Sequence, residues 1–156
     1  MTAHPQPGDQ APDFGLPTGG ADPLNLDALK GSKVVLYFYP KDDTDGCTAE
    51  AIAFNALRTH FARAQTRIIG ISPDSAASHD KFKRKHKLAL TLGSDETRTM
   101  VEAYGVWREK SMFGRKYMGV ERTTVLIDRQ GKIVRIWRKV RVNGHAQEVL
   151  EAARAL

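Results

Sequence analysis

Val34-Val-Leu-Tyr-Phe-Tyr39-Pro40-Lys-Asp-Asp-Thr44-Asp-Gly46-Cys47-Thr-Ala-Glu50 is the stretch whose reading decides the fold. Its unbroken apolar and aromatic run describes a strand buried on both faces, ended by Pro40. After a polar turn, Ile52, Ala53, Ala56, Leu57 and Phe61 recur on one side of a helix that begins near Cys47. Backbone N–H groups at a helix start lack intrahelical acceptors, and with the helix dipole they favour negative charge in front of them. A thiol placed there ionises more readily than a free one, and the thiolate is the nucleophile. Cys47 is the only cysteine in the chain.

A lone cysteine is ordinarily a small buried hydrophobe without chemistry, and Thr44 alone reads equally well as the helix N-cap. Three features together point to a reactive thiol: the strand-to-helix position, Gly46 before the sulfur and the Thr44 hydroxyl three residues upstream. Gly46 lets backbone approach a ligand without side-chain obstruction, and Thr44 can donate to or accept from an oxygen near the sulfur while also capping.

Outward from this stretch, Arg67–Ser72 reads as a second buried strand, and Pro73-Asp74-Ser75 opens a helix to about Lys87 with Asp74 or Ser75 as cap. Leu88–Leu92 reads as a third strand, and Ser94-Asp95-Glu96 starts a helix that stops at Gly105. Val106–Glu121 shows no period and reads as a long functional or flexible loop. Thr123–Ile127 and Ile133–Trp137 form an antiparallel pair around Gly131, and a last helix runs from about Gly144 to Leu156. Toward the N-terminus, strands at Asp13–Leu16 and Leu24–Leu26 flank a turn at Gly19-Gly20, and Asp27–Gly31 makes one helical turn. The pattern predicts an α/β domain spanning residues 1–156: a mixed central sheet flanked by helices on both faces, with an N-terminal β-hairpin.

Composition excludes more than it assigns. A 156-residue chain is long enough to bury a core without disulfides or metal. No apolar run reaches the roughly 18 residues of a membrane span, and Met1–Gly8 lacks the basic start and apolar middle of a signal peptide, so the expected location is cytoplasmic. Residues 98–141 hold twelve Lys/Arg against four Asp/Glu within a chain of net charge +6. No nucleic-acid-binding signature accompanies that surplus, and it reads as a solvated edge that discourages strand pairing. The Lys81, Lys83, Arg84, Lys85, Lys87 run reads as a solvated helix face. His4, His60, His79, His86 and His145 form no metal-ligand spacing, and no phosphate-binding glycine loop occurs, so neither metal nor cofactor is expected.

Pro40, Thr44 and Cys47 stand as Pro-x-x-x-Thr-x-x-Cys, and this motif resembles the peroxidatic motif of the peroxiredoxins. The longer string Tyr37–Glu50, with Gly105-Val-Trp through Gly119-Val-Glu-Arg122-Thr-Thr-Val-Leu-Ile-Asp128, is similar to their Q-type branch, the bacterioferritin comigratory proteins. The resemblance implies a thioredoxin-like fold and a thiol-dependent peroxidase acting on hydrogen peroxide or organic hydroperoxides. It implies Cys47 as nucleophile, Thr44 and Gly46 as groups that hold the peroxide, Arg122 as the cation beside the sulfur, and Pro40 as a shield. Glu50 fits a capping or supporting role. Two departures stand out. Asp45 occupies a place where proline is common, and either opposes the thiolate or serves as N-cap. Ile52 stands where a resolving cysteine is common, and is expected to pack the helix. With one sulfur, the oxidised thiol needs an external reductant: a thioredoxin-type protein, a glutaredoxin or a small thiol. Neither nucleic acid nor membrane is an expected partner, and a monomer or weak homodimer is expected. The alternative function is a redox sensor or thiol–disulfide exchange protein with Cys47 as switch.

Overall fold

The computed structural model describes residues 4–18 and 21–156; the predicted Gly19-Gly20 turn lies outside them. In chain order the elements are β1 (Gly15–Thr18), β2 (Ala21–Asn25), α1 (Leu26–Leu29), β3 (Lys33–Phe38), α2 (Asp45–Ala56), α3 (Arg58–Arg63), β4 (Thr66–Ser72) and α4 (Ala76–His86). There follow β5 (Thr91–Ser94), α5 (Thr99–Ala103), β6 (Trp107–Met112), β7 (Arg115–Val120), β8 (Thr123–Ile127), β9 (Ile133–Trp137) and α6 (His145–Arg154). Seven strands form one sheet in the order β2-β1-β5-β4-β3-β8-β9. β3 pairs parallel with β4 and antiparallel with β8, which makes the sheet mixed, as expected.

The apolar run at β3 does not alternate because both faces of this strand are covered. Val34, Leu36 and Phe38 enter one apolar cluster with Leu26, Leu29, Met100, Val101 and Tyr104. Val35, Tyr37 and Tyr39 enter the other with Phe54, Phe61, Phe82, Val149 and Leu150. α1 and α5 thus cover one face, and α2, α3, α4 and α6 the other. The strand end at Tyr39 and the start of α2 are fixed from beneath by the second cluster.

Four readings of the sequence are corrected. Val106–Glu121 is no irregular loop but mostly the hairpin β6–β7, closed by Phe113 and Gly114 with φ of 51° and 77°. Two positive φ values suit a two-residue hairpin turn. Most residues from Glu109 to Met118 are exposed, so no core-facing period marks the strands. The third strand starts three residues later than expected, because α4 ends at left-handed Lys87 (φ 52°) and Leu88 and Leu90 pack before the sheet is joined. The next helix starts at Thr99, after left-handed Arg98; the Asp95 carboxylate accepts the amides of Met100 and Val101 across the gap. Finally, α2 buries Cys47, Glu50, Ala51 and Phe54 rather than the side carrying Ile52 and Ala56. Ile52 is 47 % exposed and does not pack the helix.

Candidate active site

Thr44 is the N-cap residue of α2, with extended backbone (φ −95°, ψ 156°), and its carbonyl accepts the Thr48 amide. Asp45 is therefore the first helical residue rather than the cap, its charge at the positive end of the helix. Cys47 lies in the first turn, where the backbone amide has no intrahelical acceptor. Its side chain points inward, 2 % exposed, into the cluster with Tyr37 and Phe54.

Arg122 comes to this sulfur from the junction of β7 and β8. Its Nη2 donates to Cys47 Sγ at 3.3 Å and its Nη1 to Glu50 Oε1 at 2.7 Å. The guanidinium fork thus ties the nucleophile to a residue one turn further along the same helix. Its backbone carbonyl accepts the Val140 amide, which fixes the base of the side chain. Burial alone would lower the Arg122 pKa, but Glu50 and Cys47 outweigh it and hold the guanidinium charge more firmly.

Gly46 has a reason beyond backbone access. A Cβ there would stand 3.1 Å from Arg122 Nη2, so the bare backbone lets the guanidinium lie close across the first turn of α2, and a side chain would make it give way by a few tenths of an ångström. Glu50 is the residue the sequence underrated. It is 1 % exposed, Oε2 has no hydrogen-bond partner among the described residues, and burial, opposed by Arg122, pushes its pKa up to about 7. Its place in the first helical turn invited a capping role; only the approach of Arg122 from residues far along the chain reveals the other. Half-buried Lys110 of β6 shares this environment: burial and Arg122 lower its pKa, with Cys47 and Glu121 opposing.

Thr44 is exposed, and its Oγ donates to the Lys41 carbonyl at 2.9 Å instead of capping an amide of α2. The hydroxyl hydrogen is thereby engaged, which leaves the oxygen lone pairs as acceptors. Pro40 is half-buried at the end of β3, directly after Tyr39, whose amide donates to Ile71 O. The structure thus brings Cys47, Gly46 and Arg122 into one contact group, with Thr44 and Pro40 on the turn that leads into it.

Beneath that turn lies a second polar cluster. Asp42 Oδ1 accepts from Tyr39 Oη at 2.6 Å; Asp42 Oδ2 accepts from Ser78 Oγ at 2.8 Å and faces His79 Nδ1 at 2.7 Å. The Asp42 amide donates to Asp74 Oδ2 at 2.8 Å, an oxygen that also accepts from Ser72 Oγ. Ligand atoms of Asp42, Asp74 and His79 lie within 4.8 Å of one another, close enough to hold a metal ion. These carboxylate oxygens already accept protein donors, so the cluster is satisfied internally. Asp42 stands 32 residues before Asp74 and 37 before His79, so no local spacing signals the three together.

A groove of about 480 Å³ lined by Trp137, Arg138, Lys139, Arg141 and His145 contains none of the residues around the sulfur. Burial, together with Arg122 and Arg135 and against Glu148, lowers the His145 pKa to about 4, so the ring beside Thr124 Oγ (2.8 Å) is neutral at pH 7. Among the described residues, no helix is long and apolar enough to cross a membrane.

Residues 7–136 match the AhpC/TSA family. The chain is 51 % identical to the putative peroxiredoxin Bcp of Coxiella burnetii, over 92 % of this chain and 95 % of that protein. It is 46 % identical to the peroxiredoxin Bcp of Bacillus subtilis, with 92 % of each chain covered. Among solved structures, a cysteine-to-serine mutant of Xylella fastidiosa PrxQ superposes with a TM-score of 0.92 at 36 % identity, covering 99 % of this chain and 98 % of that one. The Xanthomonas campestris bacterioferritin comigratory protein, solved in trapped intermediate and ligand complexes that address its alkyl peroxide reduction activity, gives 0.87 at 43 % identity, covering 91 % and 90 %. With the thioredoxin-like sheet, the single thiol at a helix start and these likenesses together, the chain belongs to the AhpC/TSA family as a peroxiredoxin of the Bcp or Q type, a thiol-dependent peroxidase.

Proposed function

We propose that Cys47 is the peroxidatic thiol and that the substrates are hydrogen peroxide and alkyl hydroperoxides. The observation that carries this reading is the 3.3 Å contact of Arg122 Nη2 with Sγ at the start of α2. The thiolate attacks the terminal peroxide oxygen, the O–O bond breaks, and its electron pair leaves with the second oxygen, which takes a proton and departs as water or an alcohol. Cys47 is left as a sulfenic acid. Charge grows on the leaving oxygen in the transition state, and Arg122, with the amides of Gly46 and Cys47 at the helix start, supplies the donors that stabilise it. With its hydrogen engaged by Lys41 O, Thr44 accepts the peroxide O–H and orients it in line with the sulfur. Pro40 shapes the turn that limits water at the sulfur.

Resolution comes from outside because the chain has one cysteine. An external thiolate attacks the sulfenic sulfur and displaces water, forming a mixed disulfide; a second thiol then releases Cys47. Thioredoxin-type proteins, glutaredoxins and small thiols, the reductants of a cytoplasmic setting, meet this requirement. The test is steady-state turnover of hydrogen peroxide and an alkyl hydroperoxide with each class of reductant, alongside Cys47→Ser. Turnover with at least one reductant, lost in the serine variant, is expected because a serine hydroxyl is barely ionised at neutral pH. Comparable turnover by Cys47→Ser would remove Cys47 from the mechanism.

A further inference from the structure

The turn from Pro40 to Thr44 is gripped by α4 at both ends of that helix. At its start, Ser78 and His79 bind Asp42; at its end, Lys85 Nζ donates to Asp43 Oδ2 at 2.6 Å and His86 Nε2 lies 2.8 Å from Asp43 Oδ1. Asp43 has a left-handed backbone (φ 60°), a conformation that aspartate accepts more readily than most side chains.

We infer that His79 is a positioning residue for the peroxide pocket, acting through Asp42 to hold the turn that carries Thr44. Both ring nitrogens of His79 face oxygens, Nδ1 toward Asp42 Oδ2 at 2.7 Å and Nε2 toward Gly93 O at 3.1 Å. The ring is 1 % exposed and spans from the Asp42 carboxylate to the backbone of β5, which fixes its place between them. Asp42 is fixed at its side chain by His79, Ser78 and Tyr39 and at its amide by Asp74. The neighbouring carbonyl, Lys41 O, is the acceptor that sets the Thr44 hydroxyl. A displacement of Asp42 therefore moves Lys41 O and, with it, the oxygen expected to orient the peroxide. Misplacement by about 1 Å can cost about 100-fold in rate. The ordinary alternative is a staple that merely stabilises the fold, and that would affect every reaction of Cys47 alike.

The inference rests on the peroxidase reading above, and turnover by the wild type tests that reading by itself. To test His79, the second-order rate of Cys47 oxidation by hydrogen peroxide is measured by stopped-flow tryptophan fluorescence and compared with the rate of alkylation by iodoacetamide, an electrophile that needs no peroxide pocket. His79→Leu is expected to lose about 10- to 100-fold toward peroxide and to keep alkylation within about twofold of wild type. His79→Asn, which retains a donor where Nδ1 stood, should recover peroxide reactivity to within about threefold of wild type. In a Thr44→Val background, His79→Leu should add less than about twofold, since both changes remove the same contribution. Should His79→Leu fail to fold, the isosteric Asp42→Asn carries the same comparison with the same expected selective loss. Equal losses toward peroxide and iodoacetamide, multiplicative losses with Thr44→Val, or an unchanged peroxide rate would each overturn the proposal.

Discussion

Asp42 and Glu50 lie eight residues apart, flank the same thiol and are buried alike, at 7 % and 1 % exposed, yet their environments drive them in opposite directions. Burial pushes both carboxyl groups toward the neutral form. At Asp42, hydrogen bonds from His79, Tyr39 and Ser78 outweigh burial and hold the pKa below the ordinary value. At Glu50, burial outweighs its one partner, Arg122, and the pKa rises to about 7. The donors aimed at a carboxylate, set against the depth of its burial, decide its charge. The saturated cluster around Asp42 is suited to holding backbone in place. The unsaturated one around Glu50 keeps charge adjustable beside the sulfur, where the chemistry changes charge during turnover.

If this contrast is right, the two clusters should fail differently when cut. The largest effect is expected from Asp42→Ala, which leaves Tyr39, Ser78 and His79 buried without the carboxylate they share and should destabilise the protein by about 3–5 kcal/mol, read from urea unfolding. A loss below about 1 kcal/mol would show that the cluster is not the saturated support described. Next, Arg122→Ala should cost about 100- to 1,000-fold in the peroxide rate, or about 2.7–4 kcal/mol of transition-state stabilisation. A stopped-flow rate unchanged from wild type would remove Arg122 from the site.

Glu50→Gln sharpens the contrast through pH. The folded value of about 7 lies above the ordinary 4.5, so across that window the native protein keeps a proton that the unfolded chain has lost. Wild-type stability should therefore fall relative to the glutamine variant as pH rises from about 4.5 to 7, by about 3 kcal/mol in all, and the difference should level off above that. Asp42 has the opposite sign: its stabilisation is present above its unfolded value and is lost as pH falls through its lowered folded one. Parallel pH profiles for wild type and Glu50→Gln would mean that Glu50 ionises normally.

The smallest effect belongs to Ile52→Cys. Because Ile52 is 47 % exposed, this change should cost less than about 1 kcal/mol in stability. Residues five apart in a helix have Cα atoms roughly 8.5 Å apart, beyond the roughly 7 Å that a disulfide tolerates. Mass spectrometry after one equivalent of peroxide should show part of the population internally bridged, through unwinding of the first turn of α2, and wild type should show a trappable sulfenic acid instead. A variant that stays wholly sulfenic would show that the donors around Arg122 hold the turn wound after oxidation.

The amino-acid sequence by itself determined the buried strand at β3, the helix that starts near Cys47, the alternation of strands and helices and the closing β8–β9 pair. Each of these is written in local periodicity and turn chemistry, which the chain carries whatever its neighbours. The motif likewise singled out Cys47, and the resemblance pointed to Thr44, Gly46 and Arg122. Only tertiary structure decided which side of α2 is buried, because short helices with small residues on several sides have no decisive apolar face and the sheet chooses one. Only tertiary structure made strands of residues 107–120, since a hairpin exposed on both faces owes its pairing to backbone hydrogen bonds and the Phe113-Gly114 turn. It also set the charge of Glu50 and joined His79 to Asp42 across 37 residues. Burial and the number of donors within about 3 Å are properties of packed neighbours, and these neighbours meet only when the chain has folded.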